Sequence, residues 1–446
     1  MGPYELMNNG HITLESDAAL IQGVASTNTG MGTYEVIRTA PQNKNQFRFL
    51  SSPIDNINIQ NVYGGSNVAQ FDPANHAVGN GWTYLSNGTL ENARGYAVNG
   101  SNLLNGGEGR RHYIGNVNNG IVSIPIDGTI YGSPYDGWNL IGNPYPSAVS
   151  ITALMASNPS LGSVTLYDQS NSNYITYNSI NAAGAKIASG EAFYTHFIGP
   201  NTNINFDNSH RLEEVGAMAK NSSTSLSSLT IRDEDEAEYT THIAFTDKAS
   251  DTFDLNYDAP LIPQANQLSL FSSLENESYA IQSFAPVKNN KKVIVGIEGK
   301  AGNYTIELSQ YNNFTNDIKV ILTDKLSGKK CDLLKEAYTF YKASDEKVSN
   351  RFEITYQKEK TLPTSELNDI NTNCIRNYIT LEATDIMLID LVKLYDLNGK
   401  LISSWKHVDL SNQQQKLQIE LLPPGNYILE LYLQETSISK KLNVTH

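Results

Sequence analysis

The chain has 446 residues, 39% of them hydrophobic and 9% aromatic, with 32 Lys and Arg against 46 Asp and Glu for a formal net charge of -14. That length suits about two to four domains, each able to bury a core without metal or disulfide help, and the acidic balance opposes nonspecific binding to nucleic acid or anionic lipid. No apolar run approaches the roughly 18 residues of a membrane helix, and the two cysteines, Cys331 and Cys374, write neither a disulfide framework nor a zinc site.

Residues 1–10 lack the basic start and apolar core of a signal peptide, so an exported form would need a leader upstream of them. From there to residue 210 the pattern is short strands rich in Tyr, Ile, Val and Thr, separated by turns. Asn-Gly pairs at Asn87, Asn99 and Asn119, and again at Asn398, mark hairpins in which both central residues would take positive φ. Helical spacing is nearly absent. One segment, residues 150–157 (SITALMAS), predicts a short helix with Ser150 as its cap. The expected class is therefore all-β: tandem β-sandwich modules ending in a small immunoglobulin-like sandwich.

Within residues 1–210 two motifs recur in the same order. FRFLSSPI (47–54) aligns with WNLIGNPY (138–145), matching Phe47 to Trp138 and Pro53 to Pro144; ARGYAV (93–98) aligns with ASGEAF (188–193), matching Gly95 to Gly190. The offsets point to an internal duplication, with units at about 43–127 and 134–210. GWNLIGNPYPSA (137–148) then becomes a rigid corner that ends an early strand of the second unit. Its two prolines fix their own φ, and a cis bond at Tyr145-Pro146 would suit a tight turn. Trp82 and Tyr84 in the first unit, and Tyr174 and Tyr177 in the second, hold similar places. They read as strand-forming core residues or, if exposed, as platforms on which sugars stack. His196 alternates with aromatics and reads as a packed strand histidine.

Charge density changes near residue 210, from 20 charged residues in the first 210 to 41 in the next 150. A serine-rich stretch at 213–228 reads as a linker into a second β-sandwich, residues 211–360, and a polar stretch broken by Pro363, at 357–373, as the next boundary. The acidic run at 232–239 lacks the glycine of a calcium loop and reads as a solvated edge. Asp254 and Asp258, in DTFDLNYDAP, are Asx-turn acceptors or, with backbone carbonyls, calcium ligands; no other cofactor is expected. The sequence has no zinc-protease, nucleophile-elbow or phosphate-loop motif. Paired carboxylates for glycoside hydrolysis have no sequence spacing by which to find them.

The last unit, residues 361–446, has the most specific pattern. VKLYDLNGKLISSW is a hairpin about Asn398-Gly399. LLPPGNYILELYLQ places a Pro-Pro-Gly turn before a strand whose Tyr427, Leu429, Leu431 and Leu433 share a face, and KKLNV closes the chain. In this order and at this end, LYDLNGK, LPPGNYILEL and KKLNV resemble the type A C-terminal sorting domain of type IX secretion cargo from Bacteroidota. NCIRNYITLEA stands where that family often opens with Pro-Asn-Pro. FRFLSSPI, GWNLIGNPYPSA and SGEAFYTHF resemble the region before the sorting domain in large flavobacterial surface proteins, and FDLNYDAP, LTDKLSGK and RFEITY resemble a linking β-module. The resemblance implies the C-terminal end of a longer protein, secreted or held at the cell surface, with Gly399, Gly425, Tyr427, Lys440 and Lys441 as sorting-motif residues. The implied partners are the outer-membrane translocon, its shuttle protein and a surface sortase that cuts within 361–373. Two readings of the rest stand side by side: a noncatalytic adhesin-type region, or a protein that binds or degrades surface glycans through residues 1–210.

Overall fold

Alternation and turns give an all-β molecule: 55% of the computed structural model is strand and 5% helix. It describes residues 4–39, 47–64, 66–76, 79–99, 110–168, 172–212, 224–263, 267–287, 290–315, 317–358, 370–375, 377–383, 388–433 and 436–444. Among the described residues no helix is long and apolar enough to cross a membrane. The chain divides into two compact units, Met1–Lys358 and Glu359–His446.

In the first unit, two four-stranded antiparallel sheets share one connection order. The strands Arg48–Leu50, Tyr96–Asn99, Asn67–Phe71 and Trp82–Leu85 lie side by side in that sequence, so the first strand pairs with the last. The second sheet repeats this with Trp138–Gly142, Ala192–His196, Val164–Asp168 and Asn173–Tyr177. Each first strand is followed by a short helix. Ile59–Tyr63 is capped by Asn58, whose side chain accepts from Gln60 N–H, and Ile151–Ser157 by Ser150, which accepts from Ala153 N–H at 3.2 Å. The first helix, only five residues long, is too short to register as 3.6-residue spacing.

The corner after Gly142 is a buried polar knot, with every residue from 143 to 147 buried. The Asn143 amide donates to the carbonyls of Ser147, Ile187 and Ala188, while its oxygen accepts from Tyr145 N–H at 2.9 Å. Tyr145 is fully enclosed beneath the Arg211 guanidinium, 4.8 Å from its ring centre. The expected cis bond is not there: all described peptides are trans, and the Asn143 side chain makes the turn instead.

Residues 224–358 of the same unit form an 11-stranded sheet folded over one core. Its two halves meet where the Ser227 and Tyr356 hydroxyls pair at 2.5 Å and the rings of Phe245 and Tyr356 stand 4.7 Å apart. Of the stretch read as a linker, residues 213–223 lie outside the described residues, but Ser225–Asp233 is an interior strand of this sheet with Ser227 and Ser228 buried.

The second unit is a seven-stranded sandwich. A three-stranded sheet (Asn371–Ile375, Tyr378–Glu382, Gln414–Gln418) faces a four-stranded one (Leu401–Asp409, Leu388–Tyr395, Gly425–Leu433, Thr436–Val444). Both feed one core, from Ile370 and Ile379 to Leu429, Leu431 and Val444.

Candidate functional site

The two edge strands Trp82–Leu85 and Asn173–Tyr177 bring aromatic side chains to one cleft of about 720 Å³, within the range of small-ligand pockets. Trp82 and Tyr84 come from the first strand and Tyr174 from the second; Phe47, Phe49, Phe71, Tyr135, Trp138 and Tyr194 complete the aromatic lining, with Ile262 and Pro263 from the 11-stranded module. Trp82 stacks on Phe49 at 6.3 Å between ring centres, and Tyr174 lies 6.1 Å from Phe49 and 6.0 Å from Tyr194. Tyr84 is 66% exposed, so the cleft has an open rim and a buried floor.

Two phenols of this floor carry the chemistry. Tyr194 is only 5% exposed and Tyr174 is half-buried, yet among the described residues neither hydroxyl has a hydrogen-bond partner. Burial raises the pKa of both, helped by the neighbouring phenols, so each stays protonated, a donor and acceptor facing the cleft. Asn80 adds an amide, and no carboxylate is among the described lining residues.

Tyr177 does not join the other three. It is three residues from Tyr174 on the same strand, and odd spacing turns it to the opposite face, against the core around Val149 and Leu154. His196 is half-buried opposite Trp138, with the rings 5.1 Å apart, and burial pushes its pKa down to about 4.

The carboxylates of Asp254 and Asp258 are occupied by donors. Asp254 accepts from the Ser250 N–H at 2.6 Å and hydroxyl at 2.8 Å; Asp258 accepts from Asp254 N–H and Ser283 N–H, both at 2.7 Å. This is the arrangement of a capped loop, and among the described residues no group of three or more His, Cys, Asp or Glu could hold a metal ion. Burial raises the Asp258 carboxyl to about 6, which itself disfavours the ionised form a cation would need.

In the second unit the five motif residues do different jobs. Gly399 has φ +81, which a side chain would resist; the turn runs from Asp396 to Lys400, whose N–H donates to the Asp396 carboxylate at 2.9 Å. Asn398 keeps negative φ, as do Asn87 and Asn119 beside Gly88 and Gly120, so these are not the turns with two positive φ values that the dipeptide predicts; Gly100, after Asn99, lies outside the described residues. Gly425 opens a strand without positive φ, and a Cβ there would lie 3.9 Å from the Tyr427 ring. Tyr427 is buried and donates its hydroxyl to the Pro423 carbonyl at 2.9 Å, pinning the Pro-Pro-Gly turn to the core. Lys440 and Lys441 point to opposite faces. Lys441 is exposed, whereas Lys440 is half-buried and donates to the Ile370 carbonyl, tying the last strand to the first. Of the span expected to be cut, residues 361–369 lie outside the described residues, Ile370 is fully buried and Asn371–Ile375 is a paired strand.

No curated protein matches the chain. Among solved structures it is similar, at 9% identity and a TM-score of 0.15, to one titled "Biofilm associated protein - BSP domain", covering 91% of this chain and 61% of that one, so it spans less than two thirds of that chain. It is similar, at 8% identity and a TM-score of 0.12, to one from Binjari virus, covering 98% of this chain and 78% of that one. Likenesses this distant carry no argument. Family models match nearly all of the chain: the one described as "Domain of unknown function (DUF8693)" at residues 4–356 and the one described as "Secretion system C-terminal sorting domain" at residues 373–445. The chain belongs to the DUF8693 family and ends in a type IX secretion sorting domain.

Proposed function

We propose that residues 4–356 are a noncatalytic, adhesin-type region whose aromatic cleft holds a ligand outside the cell. The sorting domain marks a secreted or surface protein handled by the type IX secretion machinery. The observation that carries the binding half of this reading is the cleft itself: aromatic rings from two matching edge strands, with the buried Tyr194 and half-buried Tyr174 hydroxyls lacking a hydrogen-bond partner among the described residues.

A saccharide suits that lining. The apolar C–H face of a sugar ring packs on Trp82 and Tyr174 while its hydroxyls meet Tyr174, Tyr194 and Asn80. Hydrolysis of a glycosidic bond ordinarily requires two carboxylates across the bond, and the described lining supplies none, which supports holding a glycan over cutting it. At the other end, the translocon, its shuttle protein and the sortase would read the sandwich through the Gly399 turn and the exposed Lys441, with cutting before the buried Ile370. Calcium at Asp254 and Asp258 would have to displace backbone donors from both carboxylates.

Retention of the full chain on a panel of immobilised saccharides tests the reading. Retention lost in Trp82→Ala and weakened in Tyr174→Phe is expected; retention unchanged by both would move the site elsewhere.

A further inference from the structure

Seven lysines and arginines are all the first 210 residues contain, and three of them, Arg38, Arg48 and Arg111, line one cavity of about 310 Å³. In a protein of net charge -14, that concentration of positive charge is local and built. Arg38 and Arg111 are direct cross-strand partners on the antiparallel strands Thr33–Thr39 and Arg110–Gly115, a placement that sets like charges about 5 Å apart at Cβ and is unfavourable by itself.

Arg48 adds a third charge from the edge strand Arg48–Leu50. It is 8% exposed, it lines the cavity, and among the described residues no carboxylate, carbonyl or hydroxyl accepts from it. Burial, and secondarily the charge of Arg111, lower its pKa to about 10, which leaves it charged at neutral pH. Arg38 donates to the carbonyls of Glu15, Ile37 and Ala18, so its position is fixed, and Arg111 lies over the Tyr63 ring at 5.9 Å. Asp17 and Glu191 also line the cavity, but Glu191 is engaged by the Ala188 N–H at 2.9 Å and neither acid is within ion-pair distance of Arg48. A buried guanidinium without an acceptor, beside two more, is the electrostatic complement of a bound oxyanion.

We propose that the cavity lined by Arg38, Arg48 and Arg111 is an oxyanion site that takes the carboxylate, sulfate or phosphate group of a small acidic ligand. The planar guanidinium fork of Arg48 offers two parallel donors to such a group, and the cavity wall brings Phe49, Leu50 and Tyr167 against the rest of the molecule. Phe49 also borders the aromatic cleft, but the oxyanion site stands on its own residues and does not require a saccharide there.

The test is isothermal titration calorimetry of the full chain with glucuronate, inorganic sulfate, inorganic phosphate and, as the uncharged control, glucose. Binding of at least one anion but not glucose, weakened by added chloride and reduced at least about tenfold in Arg48→Met, is expected. Preference for glucuronate would assign a sugar-acid carboxylate, and preference for sulfate or phosphate a tetrahedral ester. Removing an unpaired buried charge should also leave the ligand-free Arg48→Met protein at least as stable as wild type in urea. No anion bound by wild type, or binding by Arg48→Met and Arg111→Met equal to that by wild type, would overturn the proposal, as would a loss of stability in Arg48→Met without anion binding by wild type. Should Arg48→Met not fold, Arg48→Gln titrated with the same four probes decides by the same tenfold criterion.

Discussion

Leu50 forms an antiparallel bridge with Glu191, and Ile141, which stands in the second four-stranded sheet much as Leu50 stands in the first, forms one with Arg94. Each sheet therefore borders the other through its first strand. The approach is close: a Cβ on Gly142 would lie 2.4 Å from Ser51 Cβ, and one on Gly95 would lie 2.6 Å from Leu140 Cγ. Neither glycine has positive φ, so the constraint is space.

Gly142→Ala and Gly95→Ala should each destabilise the first unit by about 1–3 kcal/mol through overpacking. Gly302→Ala, where nothing lies within 4 Å of the added methyl, should cost less than about 0.5 kcal/mol. Urea denaturation of the three variants checks this; equal effects would mean the two sheets are not tightly apposed.

Tyr174→Phe removes a hydroxyl that no described residue uses, so stability should hold while saccharide retention falls by roughly threefold to tenfold, the worth of one hydrogen bond. Tyr177→Phe, on the other face, should leave retention unchanged. Parallel unfolding and binding measurements separate the two.

Asp258 gives a pH dependence with a definite sign. Its folded carboxyl titrates near 6 and an unfolded aspartate near 3.9. Between these values the folded chain keeps a proton that the unfolded chain has released, so this group's contribution is full below about pH 4 and is lost as pH rises through 6, about 2–3 kcal/mol in all. Wild type should lose most of that increment between pH 4.5 and 7 relative to Asp258→Asn, whose unfolding midpoint should decline less. Equal declines would mean that Asp258 does not titrate in this window.

In the sorting domain, Tyr427→Phe and Lys440→Ala should each cost about 1 kcal/mol, because each breaks a hydrogen bond to a backbone carbonyl. Lys441→Ala should be neutral in stability yet lower export if its exposed charge is read by the machinery. Thermal melts beside secretion yields distinguish structure from recognition.

The β class was legible because alternation and turn residues act locally, and so was the C-terminal hairpin, since Leu388–Tyr395 and Leu401–Asp409 are neighbours in sequence. The oxyanion cavity was not, because it unites residues 38, 48 and 111 through pairing the sequence does not encode locally. The placement of Tyr177 was legible and missed: residues 174 and 177 on one strand must face opposite ways. The Asn-Gly pairs at Asn87, Asn119 and Asn398 misled because glycine alone supplies positive φ there, whereas at Asn80-Gly81 both residues have it.

The most direct test of the account is to fuse residues 359–446, behind a fluorescent protein carrying a signal peptide, and express the fusion in a flavobacterium with and without a working type IX translocon. The account predicts fluorescence at the surface or in the medium that disappears when the translocon is lost. Fluorescence held in the periplasm of both strains would contradict it and reduce the C-terminal unit to a plain β-sandwich.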